Sequence, residues 1–244
     1  MTLAFEIERE LKKYPLRITA YHPESYIGGG QSKLRYLGLR VPELHQALKN
    51  GFSFSDRSQE EQAKIWDEVW FSSDCYEVMA LALSWFYHPK QSAFTLRKWP
   101  LLKPWSSRID NWAHGDALCA IYARIHEEDS AKLYPTFQKW NSSKNPWLRR
   151  LSMVSLIYYS SQREKVLPAK QILSLVEPQL DHEHYYVQKG VGWTLRECHN
   201  VYPRATYSFL ERNISRLSSY AFSASTEKMS PSKKSRLKLL RRSR

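Results

Sequence analysis

Apolar residues recur every three or four positions along almost the whole chain, and no stretch shows the strict alternation of a half-buried strand. The pattern predicts helix after helix, with polar residues and prolines as punctuation. Ser58 and Glu61 form a capping box ahead of an amphipathic run ending near Ser72. Asp74 is placed to cap CYEVMALALSWFYH, which Pro89 stops. Ser107 and Asp110 are placed to cap a helix reaching about Glu127. Asn145 followed by Pro146 supplies an N-cap and a first-turn proline for PWLRRLSMVSLIYY. Pro168, then Asp181 or His184, then Pro203 open three more helices, and a last amphipathic stretch covers about Leu217 to Met229.

Short helices with brief loops, pairing at a spacing of about forty residues, predict an all-α fold: an α-solenoid of HEAT-like antiparallel helix pairs. A compact all-α bundle is the alternative, because no sharp internal repeat stands out. The expected organisation is a single repeat domain over 1–229 and a basic, disordered tail over 230–244. Tyr21 to Gly38 reads as irregular. Its Gly28-Gly29-Gly30 run lacks the GK[ST] ending of a phosphate-binding loop and is read as a helix-to-helix turn.

Composition narrows the partners. The 244 residues carry 37 Lys plus Arg against 24 Asp plus Glu, a formal charge of +13. Seven of those cations lie in the closing KKSRLKLLRRSR, and without them the rest is still +6. That balance favours a polyanion, either nucleic acid or an anionic surface. Cys75, Cys119 and Cys198 form no CxxC pair, so neither a zinc site nor a disulfide framework is expected. No apolar run approaches a membrane span, and the amphipathic first residues do not read as a secretory signal. The expected setting is cytoplasmic.

Three segments carry candidate chemistry. In KGVGWTLRE, Gly190 and Gly192 each weaken a helix by about 1 kcal/mol relative to Ala, which points to close backbone approach or a bare face. Lys189, Trp193 and Arg196 share one side of that helix, an aromatic flanked by cations, suited to a phosphate backbone and a base or, equally, to a core Trp with surface charges. In NWAHGD, Trp112 and Asp116 stand at i, i+4 beside a predicted core stripe of Ile109, Ala113, Ala117, Ile121 and Ile125. A carboxylate there can stabilise a developing positive charge or orient water; the plainer reading is a solvated Asp. In NPWLRR, Arg149 and Arg150 sit in a helix's first turns, where the helix needs no cation of its own, so phosphate contact is expected from one of them. Asp181-His182-Glu183-His184 reads as capping residues, and no metal site or cofactor is expected.

Together KGVGWTLRECHNVYP, NPWLRRLSMVSL, the NWxxxD of Asn111 to Asp116, SYIGGG with LRYLGLRVPEL, and LSSYAFSASTEKM resemble, in order, the AlkD-like family of DNA alkylation repair glycosylases. The resemblance spans about Tyr26 to Met229. It implies a HEAT-like solenoid gripping alkylated double-stranded DNA on a concave basic face. It implies hydrolysis of the N-glycosidic bond of cationic alkylpurines such as 7-methylguanine and 3-methyladenine, by a cofactor-free monomer. On that pattern Asp116 matches the catalytic aspartate, and Trp112 and Trp193 match the indoles beside the lesion. Arg149 or Arg150 matches a cleft arginine, and Tyr26 matches an N-terminal tyrosine.

One departure stands out. Family members often carry a second acid just after the first Trp, where this chain has Ala113. Two other readings therefore stay open: a non-catalytic repeat module binding structured or branched DNA, and a protein-interaction solenoid with incidental charge. Convergence of Trp112, Asp116 and Trp193 on one cleft would separate the glycosylase from the non-catalytic module.

Overall fold

The structure, a computed structural model, describes residues 2–15 and 23–243. Among them are fifteen α-helices and no strand; the nearest to sheet is one isolated bridge between Arg35 and Cys75. The chain gathers into two compact units, Met1–Ile121 and Tyr122–Arg244.

The first unit contains α1 (Leu3–Leu11), α2 (Pro23–Gly28), α3 (Val41–Asn50), α4 (Gln59–Ser72) and α5 (Tyr76–Tyr87). Two short turns follow, α6 (Ser92–Thr95) and α7 (Trp99–Leu102), and α8 (Trp112–Glu128) begins here. The core is aromatic. Trp70 and Trp105 stack at 4.6 Å with planes 6° apart, and Phe86 meets Trp105 edge-on at 5.3 Å. Buried indoles need acceptors, and Trp105 Nε1 finds Asp67 Oδ1 at 2.7 Å while Trp85 Nε1 finds Gln62 Oε1 at 3.0 Å.

The second unit contains α9 (Ser130–Asn141), α10 (Pro146–Val154), α11 (Ala169–Val176), α12 (Tyr185–Val201), α13 (Pro203–Arg212), α14 (Ser219–Ser225) and α15 (Pro231–Arg242). Its core joins Val187, Val191 and Leu195 of α12 to Phe209, Leu210, Ala221 and Phe222. A buried polar chain runs alongside. Asn141 Nδ2 donates to Ser152 Oγ and to the Leu175 carbonyl, both at 2.9 Å, and Gln179 Nε2 donates to the Asn141 carbonyl at 2.8 Å.

Local signals place most helix starts. Ser58 Oγ accepts from Glu61 N, and Glu61 Oε2 accepts from Ser58 N at 3.1 Å, completing the capping box. Asn145 Oδ1 accepts from Trp147 N at 2.9 Å, with Pro146 in the first turn. Two expected caps are corrected, because a distant donor claims the carboxylate. Asp74 leaves the start of α5 to Cys75 and accepts the Arg35 guanidinium at 2.7 and 3.0 Å. Asp110 accepts from Ser32 Oγ at 3.0 Å and Lys33 N at 2.9 Å, so α8 is capped by Asn111 Oδ1, which accepts from His114 N at 2.9 Å.

The Tyr21–Gly38 segment holds the short helix α2; Tyr21 itself lies outside the described residues. Gly29 and Gly30 leave α2 with φ of 60° and 73°, a conformation glycine adopts without steric cost, as a turn there requires.

The C-terminal tail is helical, which corrects the expectation of disorder. Leu237 of α15 is fully buried in the second unit's core and Leu240 packs against it. Arg241 donates to the Leu217 carbonyl at 2.9 Å and lies over the Phe222 ring, so part of the tail's charge serves its own docking. Cys75, Cys119 and Cys198 are all buried, and none is in a disulfide.

Leu237→Ala should therefore lower unfolding free energy by about 2–5 kcal/mol, read by denaturant titration. Truncation after Ser230 should lower the melting temperature; a detached tail would leave both unchanged. Acid sensitivity is also expected. Burial pushes His114 and His126 down to about 4, so both fold as neutral rings. A lowered histidine pKa contributes stability that is present above about pH 6.5 and is lost as pH falls toward 4, up to roughly 3 kcal/mol each. His126→Phe should flatten that decline in urea titrations at stepped pH.

Candidate nucleic-acid interface

In the first unit the candidate residues sit where α8 begins. Arg108 fixes that point by donating to the carbonyls of Trp70, Phe71 and Ser73 at 2.9, 2.6 and 2.9 Å, which closes the carboxyl end of α4. Asn111 is fully buried; its amide faces His114 Nδ1 at 3.2 Å, and His114 Nε2 faces the Tyr76 carbonyl at 3.1 Å. His114 also stacks on Tyr76 at 4.3 Å with planes 5° apart. The histidine of NWAHGD is thus a core ring that orients α8, which sequence spacing did not reveal.

That anchoring turns Trp112 outward. Its Nε1 donates to the Tyr26 carbonyl at 2.8 Å, and the two rings meet edge-on at 5.4 Å and 84°. Tyr26 is 60% exposed. The structure therefore joins two residues 86 positions apart that had been named separately.

The inward face of α8 differs from the predicted stripe. Ala113 and Ala117 are only half-buried, while His114, Leu118, Ile121, Tyr122 and Ile125 are buried. Asp116 is 8% exposed, so its carboxylate is largely withdrawn from bulk water rather than solvated. Charge in such a place acts more strongly than on an open surface.

In the second unit the glycines of α12 are explained by close approach. A Cβ on Gly192 would lie 2.7 Å from Ala224 Cβ and 3.0 Å from the Ala221 carbonyl oxygen, so α14 can pack at that distance only against glycine. A Cβ on Gly190 would lie 3.2 Å from Arg150 Cγ. Gly190 makes room for the stem of Arg150.

The two arginines of α10 are held inside this unit. Arg150 is 4% exposed and donates to the Tyr186 carbonyl at 2.9 Å. Arg149 donates to the Ser143 carbonyl at 2.5 Å and to Gln179 Oε1 at 3.0 Å. Both clamp backbone or side-chain acceptors.

Lys189, Trp193 and Arg196 do share a side of α12, with different fates. Lys189 is exposed and has no ion pair among the described residues. Arg196 is paired, to Glu197 at 3.1 Å and Glu227 at 2.9 Å, and its guanidinium lies 4.7 Å above the Trp193 ring. Trp193 has Tyr158 nearly parallel at 5.6 Å and Tyr159 at its edge at 5.2 Å. Glu197, 2% exposed, accepts from Ser160 N at 2.9 Å and Ser160 Oγ at 2.8 Å. Those hydrogen bonds and Arg196 outweigh burial and hold its carboxyl below the usual range. Tyr158 and Tyr159 escaped sequence reading because the helix predicted through Tyr159 ends at Val154.

Of the nine tryptophans, all but Trp112 and Trp193 are buried. These two are the indoles singled out by motif. Among the described residues no group of three metal-ligating side chains occurs, and no helix is long and apolar enough to cross a membrane. His182 instead accepts from His184 N at 3.1 Å, a local turn contact.

Comparison with known proteins places this arrangement. Residues 7–229 match the family described as DNA alkylation repair enzyme. No curated protein matches the chain. A solved structure described as a predicted DNA alkylation repair enzyme from Enterococcus faecalis superposes with a TM-score of 0.61 at 15% identity, over 82% of this chain and 90% of that one. AlkD2 from Streptococcus mutans gives a TM-score of 0.49 at 15% identity, over 96% and 95%. At that identity the Enterococcus likeness shows the fold, the all-α helical-repeat class. The family match covers most of the sequence, and the chain belongs to the AlkD-like family of DNA alkylation repair enzymes.

Proposed function

We propose that the protein is a DNA glycosylase acting on cationic alkylpurines, 7-methylguanine and 3-methyladenine among them, in duplex DNA. The observation that carries this reading is the half-buried indole Trp112, held by Tyr26, one helical turn from the withdrawn carboxylate Asp116. An alkylated purine that already bears positive charge leaves as a neutral base, so no strong general acid is needed. As the bond from the base nitrogen to C1′ breaks, the sugar becomes an oxocarbenium ion. Asp116 stabilises that cation and orients the water that adds at C1′, the water's proton passing to the carboxylate or solvent. The face of Trp112 favours the same cation. Arg149, Arg150 and Arg196 keep Gln179, α12 and Trp193 in place, while Trp193 meets the DNA backbone and Lys189 a phosphate.

Ala113, where relatives often carry an acid, favours a second reading in which the protein binds branched or structured DNA without excision. Asp116→Asn separates the two. Base release from a methylated duplex should fall by roughly 10² or more against a DNA-only background, the scale for losing one preorganised electrostatic group. DNA affinity should stay near the parent's. Release by the parent no faster than background would establish binding without excision.

Phosphate binding should also involve α15. The side chains of Lys234, Lys238 and Arg242 make no hydrogen bond or ion pair with the described residues. Their spacing of four residues sets them in a row at about 6 Å intervals along the helix. Replacing all three by Gln should reduce the slope of log affinity against log salt by roughly 0.9 for each phosphate that is no longer neutralised. An unchanged slope would exclude α15 from the DNA.

A further inference from the structure

Tyr159 is the one non-glycine residue with positive φ among the described residues, at φ 45° and ψ 81°. A bulky side chain avoids that region, and a residue stays there only where its surroundings over-determine it. Here they do. The next residue, Ser160, is pinned through both N and Oγ to the buried Glu197 carboxylate, at 2.9 and 2.8 Å. Glu197 is held in turn by Arg196 Nε at 3.1 Å and Asn200 Nδ2 at 3.3 Å. The Tyr159 carbonyl accepts from Gln162 N at 2.8 Å.

The strain leaves the residue on the surface. The Tyr159 ring is 39% exposed, supported at its edge by Trp193 at 5.2 Å and by Tyr158 at 4.8 Å. Trp193 already has the Tyr158 ring and the Arg196 guanidinium against it, at 5.6 and 4.7 Å. The ring presented to solvent in this cluster is therefore that of Tyr159. Lys189, one turn from Trp193 on the same side of α12, adds an exposed cation without an ion pair. A supported aromatic face beside a cation is the combination that takes an unpaired base and its phosphate.

We infer that Tyr159 is a stacking platform for an unstacked nucleobase of bound DNA, with the Glu197–Ser160 contact as the device that holds it out. The inference rests on the DNA-binding part of the proposed function and is independent of the chemistry assigned to Asp116. A nucleobase is favoured over an apolar peptide because the cluster carries cations, Arg196 over the Trp193 ring and Lys189 exposed one turn away on α12.

The test uses the full chain and two fluorescent duplexes, one fully paired and one with a single unpaired base, compared by anisotropy. Tyr159→Gly should bind the bulged duplex about 5- to 100-fold more weakly, the range for losing one base–aromatic stack, with the paired duplex affected less than twofold. Its melting temperature should match or exceed the parent's, because glycine adopts this φ freely. Tyr159→Phe should behave as the parent on both duplexes. Equal weakening on both, no change on either, or a lowered melting temperature for Tyr159→Gly would overturn the inference alone. A parent that binds neither duplex would overturn the DNA-binding reading along with it.

Discussion

The second unit depends on how closely other elements approach α12. Without a Cβ at Gly192, α14 comes to within a distance that even alanine would forbid, and Gly190 leaves a channel for the stem of Arg150. Each glycine weakens the isolated helix by about 1 kcal/mol relative to alanine, and packing at these two positions offsets that cost. The orientation of α12 follows from these contacts, and with it the outward placement of Lys189 and the half-exposed position of Trp193. The GVG spacing is thus a packing device whose consequence is felt on the solvent side of the same helix.

The net positive charge divides between two uses, and the side-chain chemistry decides which. Arginine's planar fork suits fixed carbonyl and carboxylate acceptors, and Arg35, Arg108, Arg149, Arg150 and Arg196 all tie one segment to another. Lysines 189, 234 and 238 remain outward and uncommitted among the described residues. Counting cations alone overstates what is available to a polyanion, since a guanidinium that already closes a helix end cannot leave it without exposing the carbonyls behind it.

The sequence was legible where the deciding interaction is local. Proline in a first turn, Asn145 before Pro146 and the Ser58–Glu61 box each act within a few residues, and each marks a helix start in the structure. It was misleading where a carboxylate's partner lies far away: Asp74 is claimed by Arg35 and Asp110 by Ser32, 39 and 78 residues distant. The end of α10 was hidden because an apolar run gives no warning of a reversal at Tyr159. The charge of the tail masked the spacing of Leu237 and Leu240, which put both on the docked side of α15. At the candidate interface, Trp112 and Trp193 could be picked out by motif, but the contact from Trp112 to Tyr26 and the pairing of Arg196 with Glu227 are tertiary facts.

The three cysteines are buried thiols, none in a disulfide. Burial pushes the Cys75 thiol up to about 12 and raises that of Cys198. The thiolate is the nucleophile, so at neutral pH a thiol like Cys75 offers almost none of it. Electrophiles that alkylate purines also attack exposed thiolates. A protein of alkylation repair works among such reagents, and this fold buries all three thiols out of their reach, protected from the damage that defines its task.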